Sequence, residues 1–111
     1  MNDLSWKEFE RIELRVGTIL SAEIFKEART PAIKLSIDFG NDIGVRKSSA
    51  QITNHYLPEE LIGKQISAVV NFPKKQIANF MSECLILGVV NDKGVVLLRP
   101  DSKVDNGLKI S

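Results

Sequence analysis

The chain has 111 residues, 43% hydrophobic and 26% charged, with 15 Lys and Arg against 14 Asp and Glu for a net charge of +1. That length and balance suit one globular domain with a modest core and exclude a membrane span, since no apolar run approaches ~18 residues. The N-terminus carries Asp3, Lys7, Glu8 and Glu10 in place of a signal-peptide core, and the single cysteine, Cys84, excludes an intrachain disulfide framework, so a cytoplasmic protein without membrane insertion is expected.

Ser5 is a good N-cap and Glu8, three residues on, completes a capping box. Leu4 and Phe9 have the spacing of a hydrophobic staple, and the helix Trp6 to Arg11 gathers Leu4, Trp6 and Phe9 on one apolar side. So short a helix needs something to dock on, either its own barrel or a partner subunit. From Ile12 the period changes to two, with Ile12, Leu14 and Val16 alternating with Glu13 and Arg15. The phase slips after Gly17, which predicts a bulge or bend there. Ile33, Leu35, Ile37 and Phe39 form a second alternating strand, turn chemistry follows at 40–44, and Val45 to Ala50 reads as the return strand. Pro58 to Gly63 has the proline start, first-turn acids and glycine stop of a short helix. Further strands are predicted at Gln65 to Phe72, Cys84 to Val90 and Val95 to Arg99, the last two joined through Asn91-Asp92-Lys93-Gly94. Asn106-Gly107 marks another turn. The pattern predicts an all-β single domain with short helices, a small barrel over residues 12–90, an N-terminal helix over 1–11 and a strand extension over 91–111.

The most informative stretch is Asn71 to Ile77 followed by Ser82 to Gly88. A strand runs into Pro73, which cannot continue it, and Lys74, Lys75 and Gln76 are pushed to a sheet edge or loop. Cationic and amide groups beside Phe72 and Phe80 suit a polyanion with stacking bases. They equally suit an extended peptide needing apolar pockets and backbone-pairing groups. With a near-neutral chain, any nucleic-acid binding must come from local clusters, and Arg46-Lys47 and Lys74-Lys75 are the candidates; the alternative is solvated loop charge.

The segments Ile12 to Ile19, Ala28 to Phe39 and Asn71-Phe72-Pro73 through Ser82-Glu83 resemble the tRNA-binding domain, an oligonucleotide/oligosaccharide-binding barrel found alone or appended to aminoacyl-tRNA synthetases. Within it, Glu27 to Leu35, Ile37 to Gly40, Ser48 to Thr53 and Val69 to Pro73 are similar to the export-related chaperones of the CsaA type. Ser48-Ser49 in place of a Ser-Gly pair, Phe72-Pro73 before Lys74, and Cys84-Leu85 after Ser-Glu move the likeness toward that chaperone subgroup. The resemblance implies a five-stranded barrel of the oligonucleotide/oligosaccharide-binding type. It also implies a homodimer joined through the N-terminal segment and the C-terminal strands, which gives Leu4, Trp6 and Phe9 a reason to be apolar.

On this reading the chain is a non-enzymatic chaperone that binds unfolded or export-bound polypeptides for the secretion machinery, with structure-selective tRNA binding on the same face as the alternative. The resemblance places Asn71 on that face, to bond a base edge or peptide backbone; otherwise it caps its own loop. Ser48, Ser49, Gln51 and Ser82 line the groove, the alternative for the first three being ordinary strand-end hydrogen bonds; Phe72 and Phe80 stack or form pockets, the alternative being core; and Arg46, Lys47, Lys74 and Lys75 meet phosphates or acidic side chains. No cofactor is implied. His55 stands alone, so a metal site is not expected, and Cys84 reads as a small buried hydrophobe without a nearby base.

Overall fold

The computed structural model describes residues 1–111. Helix α1 (Trp6–Glu10) starts at Ser5 with a full capping box: Ser5 Oγ accepts from Glu8 N–H at 3.1 Å, and Ser5 N–H donates to Glu8 Oε1 at 3.0 Å. No residue of α1 is buried, and Trp6 is 82% exposed. Only Phe9 is half-buried, so most of the helix's apolar side is left uncovered by its own chain.

Strand β1 (Leu14–Ile24) is long because it serves two neighbours. Its first half pairs with β4 (Gln65–Val69), from Leu14 opposite Val69 to Thr18 opposite Gln65. Its second half pairs with β2 (Ile33–Asp38), from Thr18 opposite Asp38 to Ile24 opposite Ile33. The register slips between Ile19 and Ser21, so the bulge sits at Leu20 and not at Gly17. Gly17 has a different reason to be glycine: a Cβ there would stand 2.6 Å from Ile37 Cγ2 and 2.7 Å from Phe39 Cδ1. The phase slip in the sequence was real, but the glycine beside it answers to packing.

Strand β2 alternates buried and half-buried residues as its period predicts, and pairs with β3 (Val45–Ala50) from Ile33 opposite Ala50 to Asp38 opposite Val45. Helix α2 (Pro58–Leu61) drops Leu61 into the core and hands the chain to β4, whose five residues are all buried. The segment expected as loop between two strands is a hairpin of β5 (Lys75–Ile77) and β6 (Phe80–Ser82), closed through Ala78 and Asn79. Strand β7 (Leu85–Ile86) completes a nearly closed antiparallel barrel in the order β3-β2-β1-β4-β7. Ile19, Ile33, Leu35, Ile37, Phe39, Ile52, Leu61 and Ile66 fill it, each side chain contributing roughly 1.5–3 kcal/mol by leaving water.

Two predicted strands are shorter than their apolar runs. The run from Gln65 leaves the ladder after Val69, because Val70 N–H turns to Glu13 O at 2.9 Å. The run from Cys84 breaks at Leu87, whose N–H donates to Ser67 O while its carbonyl accepts from Leu98 N–H. Beyond that break β8 (Gly88–Asn91) pairs with β9 (Gly94–Leu97) as a separate hairpin, so residues 88–90 join the extension and not the barrel. The rest of the extension crosses back over β1 without forming a regular strand: Gly107 N–H donates to Val16 O at 2.7 Å and Ile110 N–H to Leu14 O at 2.8 Å. Gly107 makes the predicted turn with φ +91°, and a Cβ would meet Phe39 O at 2.4 Å.

Gly17→Ala is expected to destabilise the fold by ~2 kcal/mol, because the added methyl overpacks the Ile37–Phe39 contact. A lowered urea midpoint at unchanged slope checks this; an unchanged midpoint would show that the core yields freely at this point.

Candidate functional site

The barrel's last seam, between β3 and β7, carries no ladder. Ser48, 1% exposed, donates its hydroxyl to Cys84 O at 2.8 Å. Beside it Lys47 N–H donates to Glu83 Oε1 at 3.0 Å, and Glu83 N–H donates to Lys47 O at 2.8 Å. A glutamate thus stands in for a strand residue. Lys74 Nζ lies 3.5 Å from the other Glu83 oxygen. The Lys47 amide, and after it the Lys74 ammonium, holds the Glu83 carboxyl below the usual range.

Beyond this clip the seam opens into a cleft of about 660 Å³. One wall is the β1–β2 loop, with Phe25 and Arg29; the other is the β5–β6 hairpin, with Lys75, Ile77 and Ser82. Ser49, Ala50 and Gln51 line it from the end of β3. A second depression of about 410 Å³, lined by Phe72, Pro73 and Lys74, shares Lys75, Ser82, Cys84 and Leu85 with the first. The two form one groove that passes from Arg29 to Phe72.

Phe80 packs edge-on against buried Phe25 with ring centroids 5.4 Å apart. Lys47 Nζ stands 5.4 Å and Lys34 Nζ 5.8 Å from the Phe80 ring centre, so the ring carries two cations within cation–π reach. Lys34 also pairs with Glu23 at 3.3 Å.

The predicted residues therefore fall into groups. Ser49, Gln51, Lys75 and Ser82 line the cleft, Phe72 and Lys74 its extension, and Lys47 and Phe80 stand at its shoulder. Ser48 does not line the groove: it faces inward on β3 and its hydroxyl is used at the seam. Arg46 also faces inward and donates to Val70 O at 2.7 Å. Phe72 is 56% exposed and so is no core residue. Asn71 has both amide atoms engaged within the chain, Oδ1 accepting from Glu13 N–H at 3.0 Å and Nδ2 donating to Arg11 O at 2.7 Å. It ties the end of α1 to the end of β4.

Sequence reasoning missed Phe25, Arg29 and Lys34. Lys34 was legible as an outward residue of an alternating strand, and its register opposite Ser49 puts it beside the groove. Phe25 and Arg29 lie in a charged connection without periodicity, and only the tertiary fold brings them to the cleft.

Burial pushes the Cys84 thiol up to about 11, so at neutral pH it is a protonated, poorly nucleophilic group. His55 is exposed, and no group of three His, Cys, Asp or Glu side chains is arranged to hold a metal ion.

A small, nearly closed antiparallel barrel with an elongated surface groove is the architecture of a binding module. The putative tRNA binding domain model matches residues 14–109, and the chain belongs to that family, within which it fits the CsaA type. It is 54% identical to the chaperone CsaA of Bacillus anthracis str. Ames, covering 99% of this chain and 100% of that one with a TM-score of 0.93. It is 53% identical to the CsaA chaperone protein of Picrophilus torridus, with 98% and 100% coverage and a TM-score of 0.92. It is also 37% identical over 108 residues to the methionine–tRNA ligase of Chlorobium phaeobacteroides, covering 96% of this chain but 15% of that protein.

A carboxylate held below its usual pKa in the fold adds stability that is full above 4.5 and is lost as pH falls through the lowered native value. Glu83→Gln keeps an acceptor for Lys47 N–H but loses the charge, and is expected to cost about 1 kcal/mol at neutral pH. That difference should shrink toward zero below pH 4.5, as followed by denaturant unfolding across pH. A constant difference down to strong acid would show that the charge plays no part in the seam.

Proposed function

We propose that this chain is a non-catalytic, cytoplasmic, homodimeric chaperone that holds unfolded or export-bound polypeptide segments in the groove for transfer to the secretion machinery. The observation that carries this is the groove's chemistry. Ile77, Phe72, Ala78 and Leu85 offer an apolar lining for side chains, Ser49, Gln51 and Ser82 offer polar atoms for a peptide backbone, and Lys75, Arg29 and Lys47 favour acidic residues. End-to-end likeness to two CsaA chaperones supports the same reading. Asn71, Ser48 and Arg46 act as positioning residues that shape the groove, and Lys74 acts through Glu83.

Structure-selective tRNA binding is the second reading. The family's domain and the exposed lysines favour it, with Phe72 and Phe80 as stacking surfaces. A net charge of +1 opposes it, because affinity for a phosphate backbone grows with the number of cations engaged.

The dimer is proposed from α1. A five-residue helix is unstable unless docked, yet Leu4, Trp6 and Phe9 surround an open apolar cleft of about 320 Å³. A second copy would cover them, joined by the exposed Val89, Val90 and Val96 of the β8–β9 hairpin.

Labelled tRNA titrated at several salt concentrations is expected to bind weakly and to be displaced by a permanently unfolded polypeptide. Tight, salt-steep binding that the polypeptide leaves in place would overturn the chaperone reading. Light scattering is expected to give about twice 12.4 kDa for the wild type and 12.4 kDa for Trp6→Asp. A monomeric wild type at micromolar concentration would remove the dimer.

A further inference from the structure

We infer that the groove captures polypeptide by strand addition, with an extended segment pairing its backbone to the free edge of β3 at Ser49. This rests on the polypeptide reading above and specifies how the ligand is held.

In an antiparallel ladder the N–H and C=O of one residue point to the same side, and the side alternates along the strand. The Lys47 N–H and C=O both point away from β2, since both meet Glu83. Ser49, two residues on, points the same way, opposite Lys34 across a pair that exchanges no ladder bonds. The Ser49 N–H has no partner, and its carbonyl has only a 3.5 Å contact from Ser48 Oγ. This unpaired edge lies in the cleft wall, at the place where the Glu83 clip ends. An unpaired strand edge is a template for a further strand. Glu83 blocks it on one side and the turn from Ile52 on the other, so only a short extended stretch fits.

Charge selects the occupant. Lys75 and Arg29 line the cleft and Lys47 and Lys34 stand over Phe80, against one lining acid, Glu27. A segment alternating apolar or aromatic with acidic side chains would put one set on the Ile77–Leu85 lining and the other toward the cations. A nucleic-acid strand has no alternating amides to match this edge.

The test uses the full chain and a short labelled peptide alternating phenylalanine and aspartate, measured by fluorescence anisotropy. N-methylation of backbone amides of one parity is expected to weaken binding about fivefold, and of the other parity to leave it unchanged, since one hydrogen bond contributes about 1 kcal/mol. Ser49→Pro removes the free N–H without touching a ladder bond and should weaken binding similarly, and by more than Ser49→Ala, which keeps that N–H. Should Ser49→Pro fail to fold, the two methylated peptides on the wild type still decide. Equal affinity of all peptides would overturn strand addition and leave polypeptide binding intact. No binding of the unmethylated peptide, with tRNA bound tightly, would overturn both.

Discussion

The structure depends on how the barrel closes. Four of its five seams are ladders, and the fifth, between β3 and β7, is held by a serine hydroxyl on a carbonyl and by one glutamate that serves as a strand residue. A full ladder there would have sealed the barrel and left no groove. A seam with no contacts would have left buried amides unpaired, at about 1–3 kcal/mol each. Two short clips close the core and then stop, so the next residue of β3 is left with its backbone facing open space.

The period-two alternation of β2 and β3 keeps core and groove apart. Ile33, Leu35, Ile37 and Ser48 face inward, while Lys34, Lys47 and Ser49 face out. Outward positions can change without disturbing the packing behind them. A chain of net charge +1 can still present a cationic groove, because Arg29, Lys34, Lys47 and Lys75 gather there against one lining acid, Glu27, and Glu23, which pairs with Lys34.

Much of the fold was legible in the sequence. The Ser5–Glu8 capping box, the alternation of Ile33 to Phe39, the proline start of α2 and the turn at Asn106-Gly107 are local signals with local causes. What could not be read was decided by distant partners. The apolar run from Cys84 looks continuous, and it breaks at Leu87 only because that residue's N–H turns to Ser67 while its carbonyl takes Leu98. The β5–β6 hairpin has no glycine at its turn; Ala78 adopts φ 52°, which costs on the order of 1–2 kcal/mol, and the Gln76 side-chain amide donates to its carbonyl at 2.7 Å. In the candidate site the fold brings most of the named side chains to the groove but engages several of them within the chain. Asn71, Ser48 and Arg46 carry groups suited to a ligand, but each meets a carbonyl or amide of its own chain first, and nothing in the local sequence distinguishes the two uses.

The positions of Trp6 and Tyr56 have a spectroscopic consequence. The chain has one tryptophan and one tyrosine. The indole lies on α1 outside the core, whereas the Tyr56 hydroxyl accepts from Leu97 N–H at 2.9 Å and its ring packs against the barrel interior. The two chromophores therefore watch different events. Indole emission follows the surroundings of the N-terminal helix and reaches the barrel only through what that helix touches. Phenol absorbance follows the barrel. A thermal transition recorded by tryptophan alone would describe the helix and be mistaken for the fold.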